Sequence, residues 1–359
     1  MHNSVDVLKS GLTKIAAKCP AFGICCGCAF QDINYQDELR LKETYLRSVF
    51  KEHGLEFPAE TFDPIVASPQ EYHYRNRIDL KLKKVLRGDI FIGFTPLDRR
   101  GVEPVEACFI ARKEISDAIP AIKQEAVAML PEKYRLANLT VRSGDDKRVH
   151  WGGIGRGSLS LQKKDFLWTE INGKRIHYSL DTFFQANLSI LPPLIEKIAA
   201  LPLWQNKPLF LDLYGGVGLF TFALSGKFGT GILIEECGPS LDIARYNAEF
   251  HNLPNILIKA GKVESYLQPE NNLFGGIDPA QNIIAMIDPP RAGLSAKARN
   301  FFSRSEDLPN LLYLSCNPKT LAVDLRSFLE NGWKVLKIIP FDFFPRTAHL
   351  ETLIWLTHN

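Results

Sequence analysis

The apolar positions of this chain change period along its length, and each period predicts a different kind of element. Between Tyr35 and His53, Leu39, Leu41, Tyr45, Leu46 and Phe50 recur at helical spacing with charges on the other side, which predicts an amphipathic helix. Pro58 and Pro64 break that pattern. From about Ser68 to Val149 short alternating runs take over: Arg77-Ile-Asp-Leu-Lys-Leu-Lys, Asp89-Ile-Phe-Ile-Gly-Phe and Leu139-Thr-Val-Arg. They predict the strands of a small sheet, with a helix near Arg112–Met129 between them. Phe166–Leu180 reads as a hairpin turning at Asn172-Gly173, and Leu191–Leu201 as a further helix.

After Pro208 buried strands alternate with helices, the mark of a parallel sheet. Leu209–Leu213 runs into the glycine-rich turn Tyr214-Gly-Gly-Val-Gly218. Strands at Gly231–Glu235, Asn282–Ile287 and Leu311–Leu314 follow, then a last pair at Trp333–Pro340 and Leu350–Leu356. These patterns divide the chain into a smaller α+β unit, residues 1–170, and an α/β unit, residues 171–359.

Composition adds little to this division. The 359 residues are 45% hydrophobic and 23% charged, ordinary for a globular chain long enough for two cored domains. No apolar run nears ~18 residues, so no transmembrane helix is expected. Met1-His-Asn-Ser-Val-Asp-Val lacks the basic region and apolar core of a secretory signal, which leaves a cytoplasmic address by default. The net charge of +3 is small, but its distribution is uneven. Residues 1–200 carry 29 basic and 25 acidic side chains, whereas residues 201–359 carry 14 and 15. Within 75–100, Arg75, Arg77, Lys81, Lys83, Lys84, Arg87, Arg99 and Arg100 face only Asp79, Asp89 and Asp98. That excess suits a phosphate backbone, although a solvated strand face gives the same count. Tyr72-His-Tyr-Arg-Asn-Arg77 interleaves aromatics with arginines, as stacking on unpaired bases would require; a strand with its rings in the core fits equally well.

Candidate chemistry gathers at strand ends. The run Leu311–Leu314 stops at Ser315-Cys316-Asn317-Pro318, where proline ends strand pairing. Cys316 therefore stands where open α/β sheets bind ligands, with the softest nucleophile the chain can offer. Glycines 215, 216 and 218 let a ligand approach the backbone, and Glu235, about twenty residues on, can accept both ribose hydroxyls of an adenosine. Thr221 interrupts a full dinucleotide fingerprint, which favours S-adenosylmethionine over a dinucleotide. Asp288, at the turn Asp288-Pro-Pro-Arg291, stands where cofactor or substrate lies. His349 and Glu351 share one face of an extended segment; Glu351 has the simpler base chemistry, and His349 reads as a hydrogen-bonded structural histidine.

Seven cysteines occur, four of them at the start: Cys19, Cys25, Cys26 and Cys28. Such crowding in a reducing compartment points to metal, either an iron–sulfur cluster or zinc. Cys19-x5-Cys25-x2-Cys28 supplies three thiolates; Cys26 is expected to point away, and Cys108 is the candidate fourth ligand.

The ordered set Asp181-Thr-Phe-Phe-Gln-Ala-Asn187, Asp212-Leu-Tyr-Gly-Gly-Val-Gly218, Asp288-Pro-Pro-Arg291, Ser315-Cys-Asn-Pro318 and Phe344-Pro-Arg-Thr-Ala-His-Leu-Glu351 resembles the RNA 5-methyluridine methyltransferase family over nearly the whole chain. The resemblance implies a Rossmann-like S-adenosylmethionine-dependent methyltransferase domain beside a smaller α+β domain that carries an iron–sulfur loop and binds RNA. It implies that Cys316 adds to C6 of a target uracil and that Glu351 removes the C5 proton. It places Gln185, Tyr214, Glu235 and Asp288 around S-adenosylmethionine, with Leu219 standing where some members have a polar residue. The N-terminal cysteines look like the four-iron, four-sulfur motif of the ribosomal members, with Cys19, Cys25, Cys28 and Cys108 as ligands. The expected substrate is then a uridine in 23S ribosomal RNA, methylated by a short enzyme without an added RNA-binding barrel and without an obligate protein partner. Transfer RNA is the alternative substrate, and a non-catalytic RNA-binding iron–sulfur protein is the rival from another class. An amino-methyltransferase would follow Asp-Pro-Pro with an aromatic rather than Arg291. A radical enzyme would leave its iron site open, against four available cysteines.

Overall fold

The computed structural model describes residues 11–86, 88–155, 157–267 and 282–358. The expectations for Met1-His-Asn-Ser-Val-Asp-Val and for Arg87 lie outside the described residues. Helix α1 (Tyr35–Glu52) begins at Asn34, whose side-chain oxygen accepts the Asp37 N–H at 2.8 Å. Asp37 and Glu38 in its first turn and Lys51 in its last complement the helix dipole. No helix among the described residues is long and apolar enough to cross a membrane.

Five antiparallel strands form the small sheet: β1 (Arg77–Lys84), β2 (Ile90–Phe94), β3 (Glu103–Pro104), β4 (Leu136–Ser143) and β5 (Val149–Gly152), in the order β3-β2-β1-β4-β5. The alternation of β1 decides which face is covered. Ile78, Leu80 and Leu82 pack with Ile115, Ile119 and Ile122 of helix α2 (Lys113–Met129), while Asp79, Lys81 and Lys83 point to solvent.

Strands β6 (Leu167–Ile171) and β7 (Lys174–Tyr178) form the expected hairpin. Asn172 and Gly173 take φ of +51° and +74°, the left-handed pair that a two-residue hairpin turn demands. The division at 170/171 falls inside β6 and needs correction. Leu167, Ile171, Ile176 and Tyr178 share a core with Phe210, Phe220 and Ile284, so apolar burial binds the hairpin to the C-terminal sheet. Helix α1 also belongs to that unit: its Leu46, Val49 and Phe50 pack with Leu211, Leu213 and Tyr313.

Among the described residues the C-terminal sheet has seven strands. These are β8 (Leu209–Leu213), β9 (Thr230–Glu235), β10 (Ile256–Ala260), β11 (Ile283–Ile287), β12 (Asn310–Ser315), β13 (Lys334–Phe341) and β14 (Glu351–Thr357), in the order β10-β9-β8-β11-β12-β14-β13. It is mixed rather than parallel throughout, because β14 runs antiparallel to both β12 and β13. Only residues 342–350 join β13 to β14, too few for the crossover that parallel pairing needs. Helix α3 (Leu191–Ala199) and the hairpin cover one face of the sheet. Helix α1 covers the other, with α7 (Ala296–Arg304) and α8 (Pro318–Glu330); the short helices α4 (Leu219–Ala223) and α6 (Val263–Tyr266) and the longer α5 (Gly238–Phe250) also belong to the unit.

Candidate active site

Two neighbouring strand ends bring the chemistry together. Ser315 of β12 pairs with Thr352 of β14, and this antiparallel register puts Cys316 across from Glu351. Asn317 caps α8, accepting the Lys319 N–H at 3.2 Å, and its side chain donates to the Arg291 carbonyl at 3.2 Å. The Cys316 turn is thereby tied to the Asp288-Pro-Pro-Arg291 turn. Cys316 is half-buried and Glu351 is buried. Burial pushes the Cys316 thiol up to about 12, with the Glu351 and Asp288 carboxyls adding to the shift and Arg291 opposing it. Burial, and then Asp288, hold Glu351 well above the usual carboxylate range.

Three of the four expected cofactor residues, Gln185, Tyr214 and Asp288, line one pocket, which Glu235 does not line. Gln185 Nε2 donates to Asp288 Oδ2 at 3.2 Å, and both line this narrow pocket with Tyr214, Gly216 and Leu219. Phe183 stands at its rim, 67% exposed. Tyr214 has φ +62° and reaches Glu264 through its hydroxyl at 3.4 Å. Glu235 takes the N–H of Gly216 on one carboxylate oxygen at 2.9 Å, and those of Glu236 and Cys237 on the other. The acid therefore braces the glycine turn from behind. The sequence reading quoted Asp212 within a motif but gave it no role; it is a buried carboxylate near the end of an otherwise apolar strand. It accepts from the N–H and hydroxyl of Thr221 at 3.0 and 2.6 Å, and burial raises it to about 7. Asp288 is raised to about 7 by burial and then by Asp212. The signal was available: Asp212 is the one polar residue in Leu209–Leu213.

Cys19, Cys25, Cys28 and Cys108 line one cavity of about 190 Å³, and none forms a disulfide. Burial lifts Cys28 to about 12 and Cys25 to about 11, and neighbouring thiols of the set add to both shifts. Cys26 is exposed and does not line the cavity. Among the described residues no three His, Cys, Asp or Glu side chains converge tightly enough to hold a metal ion as they stand. The donor set nonetheless fits a thiolate-bound group: four soft ligands from two separate segments surround one space.

The sequence profile of the tRNA (Uracil-5-)-methyltransferase family matches residues 149–359. The chain belongs to that family. Curated relatives span it almost end to end. An uncharacterized RNA methyltransferase of Aquifex aeolicus is 27% identical over 98% of this chain and 86% of its own length. A tRNA/tmRNA (uracil-C(5))-methyltransferase of Nautilia profundicola is 28% identical over 95% of this chain and 100% of its own. Among solved structures, the Pyrococcus abyssi tRNA (uracil-54, C5)-methyltransferase, in complex with S-adenosyl-L-homocysteine, superposes with a TM-score of 0.69. It covers 96% of this chain and 88% of that one at 20% identity, which establishes the shared fold.

Within this family member, two expectations for aromatic and basic residues resolve differently. The Tyr72–Arg77 stretch splits: Tyr74 is buried and donates to the Pro345 carbonyl at 3.0 Å, whereas Tyr72 is half-buried beneath Lys18 and Arg346. His349 makes no ring hydrogen bond among the described residues. Its ring meets Phe344 edge-on, and burial with Arg291, Arg75 and Lys42 lowers it to about 4. It is a neutral imidazole beside the cleft rather than a hydrogen-bonded structural one. Arg142 was not foreseen. Fully buried, it donates to the carbonyls of Ser179, Thr182 and Phe184 and so shapes the segment that presents Gln185.

Proposed function

We propose that this RNA (uracil-5-)-methyltransferase family member transfers a methyl group to C5 of an RNA uridine, with Cys316 as nucleophile and Glu351 as base. The observation that carries the reading is the placement of these two side chains across the β12–β14 register, beside the Gln185–Asp288 pocket. A uridine in folded RNA must leave its stack to reach such a cleft. Cys316, having lost its proton to solvent, forms a bond from sulfur to C6, and the C5=C6 electron pair moves onto C5 and O4. S-adenosylmethionine, held by Gln185, Tyr214, Glu235 and Asp288, supplies the methyl group that C5 takes up. Ionised Glu351 then removes the C5 proton; the pair left behind restores C5=C6 as the S–C6 bond breaks and returns the thiolate. Burial helps the last step, because a carboxylate held far above its usual range binds a proton strongly once ionised.

For Cys19, Cys25, Cys28 and Cys108 the reading is a four-iron, four-sulfur cluster, which supplies a rigid thiolate-bound centre. What supports the reading is that all four cysteines line one cavity. This cysteine set also supports 23S ribosomal RNA as the substrate. Transfer RNA is the second reading, favoured by the names of the Nautilia profundicola relative and of the Pyrococcus abyssi structure.

The test is methyl transfer from labelled S-adenosylmethionine to unmodified ribosomal and transfer RNA, wild type beside Cys316→Ala, with mass mapping. Label on C5 of a ribosomal uridine, lost in the variant, supports the whole reading. Label on transfer RNA alone keeps the mechanism and replaces the substrate, whereas label on neither overturns the enzyme assignment.

A further inference from the structure

Residues 342–350 form a loop whose stem is closed by the Phe341–Glu351 pair of β13 and β14, so Glu351 stands at its foot. Four successive carbonyls of this loop each receive a hydrogen bond from a different part of the chain. Asn187 donates to Phe343 at 3.1 Å, Lys42 to Phe344 at 3.0 Å, and Tyr74 to Pro345 at 3.0 Å. The Arg346 carbonyl receives the N–H groups of both Ala29 and Phe30, at 2.8 and 3.0 Å. Those two residues directly follow Cys28.

Arg346 is the most heavily engaged member. Its side chain is 4% exposed and donates to the Ile33 carbonyl at 3.0 Å and to the Glu71 carboxylate. Its own N–H reaches Glu38 Oε1 at 2.7 Å, and its guanidinium lies over the rings of Tyr35 and Tyr72. It does this with φ +67°, a conformation that costs a non-glycine residue on the order of 1 kcal/mol. The surroundings must therefore hold it there. Downstream, Thr347 Oγ1 accepts the His349 N–H at 3.2 Å, two residues before Glu351 in the chain. Among the described residues no comparable chain of bonds runs from the cysteine loop to Cys316, whose turn is tied to Arg291 instead.

We propose that Arg346 is a positioning residue for proton removal: it locks the four-cysteine loop to the loop that ends in Glu351, so a disturbance of the cysteine loop is felt at the base and not at the nucleophile. The inference rests on the roles given above to Cys316 and Glu351. Its signature follows from the order of steps. Cys316 addition and methyl uptake precede the step that needs Glu351, so a misplaced base leaves methylated RNA attached to sulfur. A substitution that merely loosens the fold slows every step together.

The experiment compares wild type, Arg346→Lys and Glu71→Gln in single turnover. It measures covalent enzyme–RNA species on denaturing gels, methylated product released, and thermal midpoint. Glu71 is partly exposed, so its variant keeps the fold if Arg346→Lys loses it. The expected result is that adduct forms within about threefold of the wild-type rate while its resolution slows about tenfold or more, as small misplacements of a catalytic group do. Equal losses in both steps, tracking the thermal midpoint, overturn the proposal, as does wild-type behaviour in both variants. A second readout needs no turnover: in Cys28→Ser, hydrogen exchange is expected to rise at 29–30 and 342–350 and to stay unchanged at 315–320. Uniform change, or none in 342–350, also overturns it. Absence of any Cys316-linked adduct in wild type refutes the proposed function first, and the exchange pattern then decides the coupling between the two loops by itself.

Discussion

Gln185 and Asp288 are joined by a 3.2 Å hydrogen bond across 103 positions of sequence. The bond fixes the Asp181-Thr-Phe-Phe-Gln loop to the end of β11, and it is the contact that gives the cofactor pocket a wall. It also opposes the burial that raises Asp288. Replacing Gln185 by Leu is expected to weaken S-adenosylmethionine binding by about 1.5–3 kcal/mol, the range for a hydrogen bond to a charged group. Calorimetric titration of the cofactor, with the thermal midpoint as control, checks this.

Gly218 is the glycine whose freedom the turn uses most directly. It sits at φ +91°, and an added Cβ would lie 2.2 Å from the Phe222 ring. Gly218→Ala is expected to cost about 1–3 kcal/mol through strain and overpacking. Cofactor affinity should fall with stability, because the turn that Glu235 braces must shift. Parallel denaturant melts and cofactor titrations would show whether both fall.

Lys42 is buried between Glu38 and Asp342, 2.7 Å from each. Truncation to Ala leaves Asp342 without its Lys42 partner and Glu38 with only the longer ion pair to Arg346 at 3.7 Å, and should destabilise the protein by about 3–5 kcal/mol. Glu38 contributes to the pH dependence, alongside Asp212 and Asp288. Burial raises it from 4.5 to about 7 despite Lys42. A folded-state value above the unfolded one means that its contribution is complete below pH 4.5 and is lost as pH rises through 7. Glu38→Gln should flatten that decline in stability; an unchanged slope between pH 4.5 and 7 would count against the assignment.

The Cys316 thiol, raised to about 12, remains mostly protonated at neutral pH. Only the thiolate attacks, so the adduct-forming rate should climb close to tenfold per pH unit, with no plateau by about pH 9. Arg291→Ala removes a positive charge that favours the thiolate and should depress this rate at each pH without abolishing it. A plateau near pH 7 would show that bound RNA resets the thiol.

Much of this site was legible before any coordinates. Strand ends are local events: Pro318 stops β12 and Gly215 follows β8, so Cys316 and the cofactor turn could be placed from neighbours in sequence. The hairpin turn at Asn172-Gly173 was equally local. What escaped depended on distant partners. The place of β14 between β12 and β13, the attachment of α1 to the C-terminal sheet and the three carbonyls gathered by Arg142 are tertiary facts that no periodicity records. His349 went astray for a related reason: the expected ring hydrogen bond is replaced by an edge-on contact with Phe344, which no periodicity records.

The position of β14 has a consequence for synthesis. The ribosome delivers β12, then β13, and only afterwards the strand that must slip between them. Until then β13 has no partner in the sheet, and the edge of β12 is a bare row of peptide groups, open to wrong pairing. Glu351 is the first residue of that late strand. A nascent chain can therefore display Cys316 and its glycine turn while still lacking Glu351, and completing the sheet and completing the proposed catalytic pair become one event.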